Sequence, residues 1–221
     1  MNKSILAALA VCLALAACHK KPDESATPAA TPASEPTATV VAAPSADPTP
    51  EQRERARKQA ALDYATMEDS YLNDARGQWA KEVTATSTFG EASSSGASEV
   101  NKPKNIVGKP DGRFWTNDHQ DMGFDSFEGT FEKPAHATEV RAVFGDGIST
   151  VSKVEIKDTD GKYTTVWTGI NEDPRDDRGP RHWLVRKFDK SAAAISGVKI
   201  TFANALDRGY KTVDAMQLVG E

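Results

Sequence analysis

No aromatic residue occurs before Tyr64, although the 221-residue chain carries 4 Trp, 4 Tyr and 8 Phe. A folded core needs large apolar side chains, so the first quarter of the chain cannot hold one. What remains has room for one domain of roughly 140 residues. Cysteine is nearly absent: Cys12 and Cys18 are the only two, which excludes a disulfide scaffold. No apolar run is long. The best, Ile5 to Ala17, falls short of the roughly 20 residues a membrane-spanning helix takes. Positive charge is outweighed, with 27 Lys+Arg against 32 Asp+Glu and a net charge of −5. The missing basic stripe argues against nucleic acid as a partner. Only four histidines are present, at 19, 119, 136 and 182, with no His-x-x-His or His-Glu-x-x-His spacing, so zinc chemistry is unsupported. Ser93-Ser94-Ser95-Gly96 is a low-complexity loop, not a nucleophile elbow. The residues therefore point to a protein that is not an enzyme.

What the amino terminus does contain is an address. Met1-Asn2-Lys3 gives a positive start, and the apolar run follows it as a secretory signal over residues 1–17. The run ends in Leu15-Ala16-Ala17-Cys18, which resembles a bacterial lipoprotein box. The resemblance implies lipidation of Cys18 and anchorage to a membrane through its acyl chains. Each buried acyl CH₂ contributes about 0.8 kcal/mol, so several chains hold firmly where one holds marginally. His19 follows the cysteine where Asp would mark retention; by resemblance to the sorting rule of enteric bacteria this implies the outer membrane, with the protein facing the periplasm or the cell surface.

Residues 18–48 are mostly Pro, Ala, Thr, Ser and Glu. Such a composition cannot offset its ordering entropy, so a disordered tether is expected. No basic residue accompanies its prolines between Asp23 and Pro50, which weakens a Pro-rich recognition motif. Thr49-Pro50-Glu51-Gln52 then fits a capping box with Pro at the first helical position. Strong helix formers follow, and Ala56, Ala60, Tyr64, Met67, Tyr71 and Ala75 recur on one face, giving an amphipathic helix over residues 49–76. Basic residues near its start and acidic ones near its end oppose the helix dipole, so it should depend on packing against its own domain or a partner.

From Trp79 the period changes to two. Alternation at Phe127, Gly129 and Phe131, at Val140, Ala142 and Phe144, and at Val198, Ile200 and Phe202 typifies about eight short strands. Asp160-Gly161 reads as a hairpin turn. Trp167 and Trp183 fall in strand patterns and are expected in the core. The pattern defines an all-β sandwich or barrel over residues 79–221. Gly90 to Asp121 is the one long irregular stretch, and such loops in compact domains tend to be functional.

Several phrases in this region resemble the galactose-binding-like jelly roll of discoidin-type and carbohydrate-binding modules. These are Trp79 to Ser87 as opening strand, Ile106 to Gly112 as a Gly-x-Pro-Asp turn with Trp115 after it, Phe127 to Pro134, the hairpin from Val151 to Gly169, and Val213 to Gly220 as closing strand. The resemblance implies a jelly-roll β-sandwich and a binding module that recognises sugars through loops at one end. It also implies a structural calcium, for which the sequence names no ligands. Two loops supply candidate binding residues. Trp115, Asn117, Asp118 and His119 combine an aromatic surface with polar groups suited to hydroxyl-rich ligands; the same residues also read as a solvated loop around a buried framework Trp. Arg175, Arg178 and Arg181, interleaved with Glu172, Asp173, Asp176 and Asp177, could clamp an anion or simply keep a sheet edge soluble. The leading expectation is an envelope lipoprotein whose sandwich binds a glycan or envelope polymer. The alternative is a protein-interaction or assembly factor that uses the helix and the loops to hold an envelope protein.

Overall fold

The computed structural model describes residues 47–173 and 176–221, and residues 47–221 form one compact unit. The expected signal, Cys18 and the tether lie outside the described residues, as does Arg175.

Helix α1 spans Pro50–Leu72. Its capping box forms as the spacing predicts: the Gln52 amide donates to Thr49 Oγ1 at 3.2 Å, and the Thr49 amide to Gln52 Oε1 at 2.7 Å. The helix stops four residues short of Arg76, because Asn73 closes it and Asp74 turns back to accept from the Arg76 amide. Ala56 and Ala75 of the expected stripe are exposed, and contact with the domain begins in the second half, at Tyr64, Met67, Tyr71 and Leu72.

Ten strands follow among the described residues, all paired antiparallel: β1 (Gly77–Trp79), β2 (Glu82–Ala85), β3 (Trp115–Thr116), β4 (Phe124–Ala135), β5 (Ala137–Asp146), β6 (Val151–Asp158), β7 (Tyr163–Thr168), β8 (His182–Lys187), β9 (Ile195–Ala203) and β10 (Thr212–Gly220). The expected first strand is split into β1 and β2, which join opposite sheets, and the two-residue β3 is added. One sheet runs β1-β10-β5-β8 with β3 also on β10; the other runs β2-β4-β9-β6-β7. The first strand pairs with the last, β4 with β9, β5 with β8 and β6 with β7. Such nested pairing of eight principal strands is the jelly roll, so the chain is an all-β jelly-roll sandwich preceded by a helix.

Alternation along the strands builds the core. Val140, Ala142, Phe144, Leu184, Met216 and Leu218 from one sheet meet Phe127, Val154, Val198, Ile200 and Phe202 from the other, all without solvent exposure. Phe202 centres the packing, 5.7 Å from the Phe127 ring, 6.0 Å from Trp115 and 6.0 Å edge-on to Phe144. Trp183 is buried, but on the outer face of its sheet beneath α1. Trp167 is only half-buried. It packs at the margin of the core with the Arg186 guanidinium 4.4 Å above its ring, which links edge strands β7 and β8 across the open side of the sandwich.

A bulge between Val213 and Ala215 takes Asp214 out of register. Its buried carboxylate accepts from the amides of Asp111 and Gly112, both at 3.0 Å, and so pins the Gly-Lys-Pro-Asp-Gly turn. Burial pushes the Asp214 carboxyl above the usual range despite these bonds.

Helix α1 covers the outer face of the first sheet through a mixed contact. Tyr64 is buried against Val143, Trp183 and Ala215, and its hydroxyl donates to the Arg181 carbonyl at 3.0 Å. Arg141 reaches Asp74 at 3.0 Å, Gln217 at 3.0 Å and Glu139, with its guanidinium 4.3 Å from the Tyr71 ring. Glycine is required at 179, where an added Cβ would lie 2.1 Å from the Tyr64 ring. Replacing Gly179 by Ala should therefore loosen the helix without disturbing the sandwich. Hydrogen exchange should show amides of residues 60–72 exchanging at least tenfold faster, about 1.4 kcal/mol of lost local protection, with β5 and β10 unchanged.

Candidate functional site

The segment from Trp115 to Asp121 and the connection between β9 and β10 lie at the same end of the sandwich, and buried polar side chains join them. Trp115 is wholly buried, ring-to-ring with Phe127 at 5.7 Å, and its indole N–H donates to the Ser87 carbonyl at 3.1 Å. With neither ring face accessible it cannot serve as a stacking platform, and its expected ligand role is corrected to a framework one. Asn117 is equally buried. Its amide nitrogen donates to Asp125 at 2.9 Å, and its oxygen accepts from the Lys211 amide at 2.7 Å. Those bonds spend the groups that a ligand would need, so Asn117 is a structural residue as well. Asp118 is half-buried and accepts from the Gly90 amide at 3.3 Å. His119 places Nδ1 3.1 Å from Asp125 and leaves half of its side chain exposed.

Asp125 is the hub. Asn117 and Asn204 each donate to it at 2.9 Å, and Thr86 donates at 3.2 Å. Burial pushes its carboxyl up, but hydrogen bonds from Asn117, Ser87, His119 and Asn204 outweigh this and hold it below the reference value of 3.8. A carboxyl lowered by folding contributes stability at pH values above its unfolded pKa. That contribution disappears as pH falls through the lower folded value. The melting temperature should accordingly drop on acidification below about pH 4. Asp125→Asn should flatten the drop while costing about 1–3 kcal/mol at neutral pH, the penalty for mismatched buried hydrogen bonds.

Lys211 completes the network. It is 1% exposed, and its ammonium donates to the carbonyls of Gln120 (2.6 Å), Gly209 (2.7 Å), Asp207 (2.9 Å) and Asn204 (3.3 Å). Burial lowers its pKa, and the charges of Asp207, Asp125 and Asp121 oppose that shift.

Beside these residues the surface is concave. One depression, about 430 Å³, is lined by Asp146, Asp207, Arg208, Tyr210 and Thr212; a second, about 560 Å³, is lined by Glu99, Lys104, Arg113, Phe114 and Thr212, the residue they share. Tyr210 is half-buried and stands edge-on to Phe89 at 4.7 Å. Asp207 accepts from the Ser149 hydroxyl at 3.1 Å. Arg208 is exposed, and its guanidinium bonds to no protein group among the described residues. A half-buried aromatic ring and an uncommitted guanidinium meeting at one depression suit a ligand that presents hydroxyls. Residues 204–211, between β9 and β10, are not among the candidates that the sequence offers. Their Arg-Gly-Tyr-Lys succession between two strands was the available signal.

The expected arginine clamp does not assemble. Arg178 holds Asp176 with two bonds, at 2.9 and 2.8 Å. Arg181 is tied to Glu68 at 3.1 Å and lies 3.7 Å from Asp214. These guanidiniums are spent on internal carboxylates, so their expected ligand role is corrected. Arg178 does line a groove of about 550 Å³ between α1 and β8, floored by Met67, Tyr71, Trp183 and Val185. Its groups are committed too: Tyr71 lies between Arg141 and Trp183, and Asp173 binds Arg186 at 2.7 Å. Of the histidines, His136 Nδ1 lies 2.9 Å from the Ser191 carbonyl, and His182 Nδ1 accepts from the Asp176 amide at 3.0 Å.

No protein-family model matches the chain, and no curated protein matches it. Solved structures do. The module CpGH89CBM32-5 from Clostridium perfringens, in complex with GalNAc-β-1,3-galactose, has a TM-score of 0.48 and 11% identity, covering 67% of this chain and 99% of its own. The family 32 carbohydrate-binding module of C. perfringens NanJ, in complex with galactose, has a TM-score of 0.48 and 14% identity over 64% of this chain and 98% of its own. A chitosan-binding module from a chitosanase/glucanase of Paenibacillus sp. IK-5 has a TM-score of 0.46 and 12% identity, covering 63% of this chain and 95% of its own. Likeness at this level assigns no ligand and no site.

Proposed function

We propose that the protein is an envelope lipoprotein, anchored at the outer membrane through Cys18, whose sandwich binds a glycan or cell-envelope polymer at its loop end without catalysis. The observation that carries the reading is the Arg208 guanidinium, unengaged among the described residues, beside Tyr210 in one depression. A planar donor fork and an aromatic ring are groups that orient a sugar. The loops beneath them are fixed by buried hydrogen bonds, so little ordering entropy is lost on binding.

A glycan array probed with the purified protein tests this. Tyr210→Ala should weaken binding roughly two- to tenfold, from the loss of about 0.5–1.5 kcal/mol of aromatic contact. Arg208→Ala should weaken it roughly tenfold or more, as expected for a charge-assisted hydrogen bond. Arg208→Ala should not move the melting temperature by more than about 2 °C, since it alters an exposed group, whereas Tyr210→Ala also removes the ring contact with Phe89 and should lower it by a few degrees. The anchor has a separate test: Cys18→Ser should shift the protein from the membrane fraction to the soluble fraction.

The second reading, a protein-interaction or assembly factor, rests on the aromatic-floored groove beside α1. It is favoured if the array stays blank while a co-purifying envelope protein is lost on Tyr71→Ala.

A further inference from the structure

The family resemblance implies a structural calcium, and the donor chemistry at the loop end tests whether this chain would hold one there. Four backbone carbonyls, from residues 120, 204, 207 and 209, converge on a single point, and the Lys211 ammonium occupies it at 2.6–3.3 Å. Convergent oxygens are what a hard cation takes, and calcium would draw them to about 2.3–2.6 Å. The observed distances are those of N–H···O bonds. An ammonium carries three N–H donors on one compact atom and no acceptor, so the four carbonyls share its donors and meet no lone pair.

The stem is enclosed as tightly as the head. Gly147 adopts a φ of +83°, and a Cβ there would come within 2.5 Å of Lys211 Cγ, so the glycine makes room for the lysine stem. A metal ion at this point would have to displace a side chain packed along its whole length. Two of the three carboxylates whose charge reaches Lys211 are otherwise engaged: Asp125 holds Asn117 and Asn204, and Asp207 accepts from Ser149. Among the described residues, no three of His, Cys, Asp and Glu gather as a metal's donor set. The implied ion does not fit this cage.

We infer that Lys211 is the resident cation of the loop end, a covalently attached ammonium that ties the segment before β4 to the β9–β10 connection in place of a bound metal. The order of the loops then depends on no ion in the surroundings, and anything they bind is bound equally well in chelator.

Thermal melts and NMR of the purified protein test the inference. The wild-type melting temperature should agree within about 1 °C in chelator and in millimolar calcium, because a ligand that finds no site in the native state adds no stability. The Lys211 Nζ–H signal, assigned by through-bond correlation, should persist against solvent exchange and stay in place when calcium is added. Lys211→Ala should lower the melting temperature by several degrees, and propylammonium chloride should restore part of the loss. Tetramethylammonium chloride at equal ionic strength, which has no N–H to donate, should restore none. Calcium that shifts or abolishes the wild-type Nζ signal overturns the inference. So does rescue of the variant by calcium alone, or by neither cation. Should the variant fail to fold, the wild-type signal decides.

Discussion

A buried polar group without a partner costs more than most single contacts contribute, and the loop end of this protein is organised around that constraint. Asn117, Asn204, Asp125 and Lys211 all lie beneath the surface. Each satisfies the others or a backbone group: Asn117 and Asn204 donate to Asp125, Asn117 accepts from the Lys211 amide, and the Lys211 ammonium closes on four carbonyls. Three of these bonds join residues 79 to 94 positions apart. They hold two loops in one arrangement and leave the side chains above them, Tyr210 and Arg208, on a fixed base. Removing one member strands its partners, so the network stands or falls as a unit.

The jelly roll supplies the frame. Nested pairing brings the start of β4 beside the end of β9 and the start of β10 beside the end of β5, so the connections at that end cluster whatever their sequence. The inner faces of the two sheets bury one another. The outer face of the β1-β10-β5-β8 sheet, which carries Val143, Trp183 and Ala215, is covered by α1. Tyr64 over Gly179 and Arg141 between Asp74 and Glu139 fix that cover. With that face occupied, the concave loop end still offers the Arg208 guanidinium, uncommitted among the described residues, beside the Tyr210 ring. This is the physical ground for putting a ligand there and not beside the helix.

Much of the frame was legible in the sequence because it rests on local periodicity. Val198, Ile200 and Phe202 alternate with Lys199 and Thr201, and that alone announces a strand with one buried face. The capping box at Thr49 is equally local. The site was less legible, because its determinants are long-range. Trp115 beside Asn117, Asp118 and His119 looks like a sugar platform on paper; its burial follows from Phe127 and Phe202 closing over it. The Arg178 and Arg181 cluster looks free until Asp176, Glu68 and Asp214 are found against it. Lys211 carries no sequence mark at all, since a lysine between two strands reads as solvated until four carbonyls are seen to surround it. The missed bulge at Asp214 is of the same kind: one extra residue in β10 turns a strand position into the anchor of a turn a hundred residues away.

The central claim is that ligand is taken at the loop end. Backbone NMR of the purified protein, titrated with a soluble peptidoglycan digest, tests it most directly. The account predicts saturable shifts confined to residues 145–149 and 207–212 and to the neighbouring 113–116. Shifts centred on Tyr71, Trp183 and Val185, with residues 207–212 silent, would contradict it.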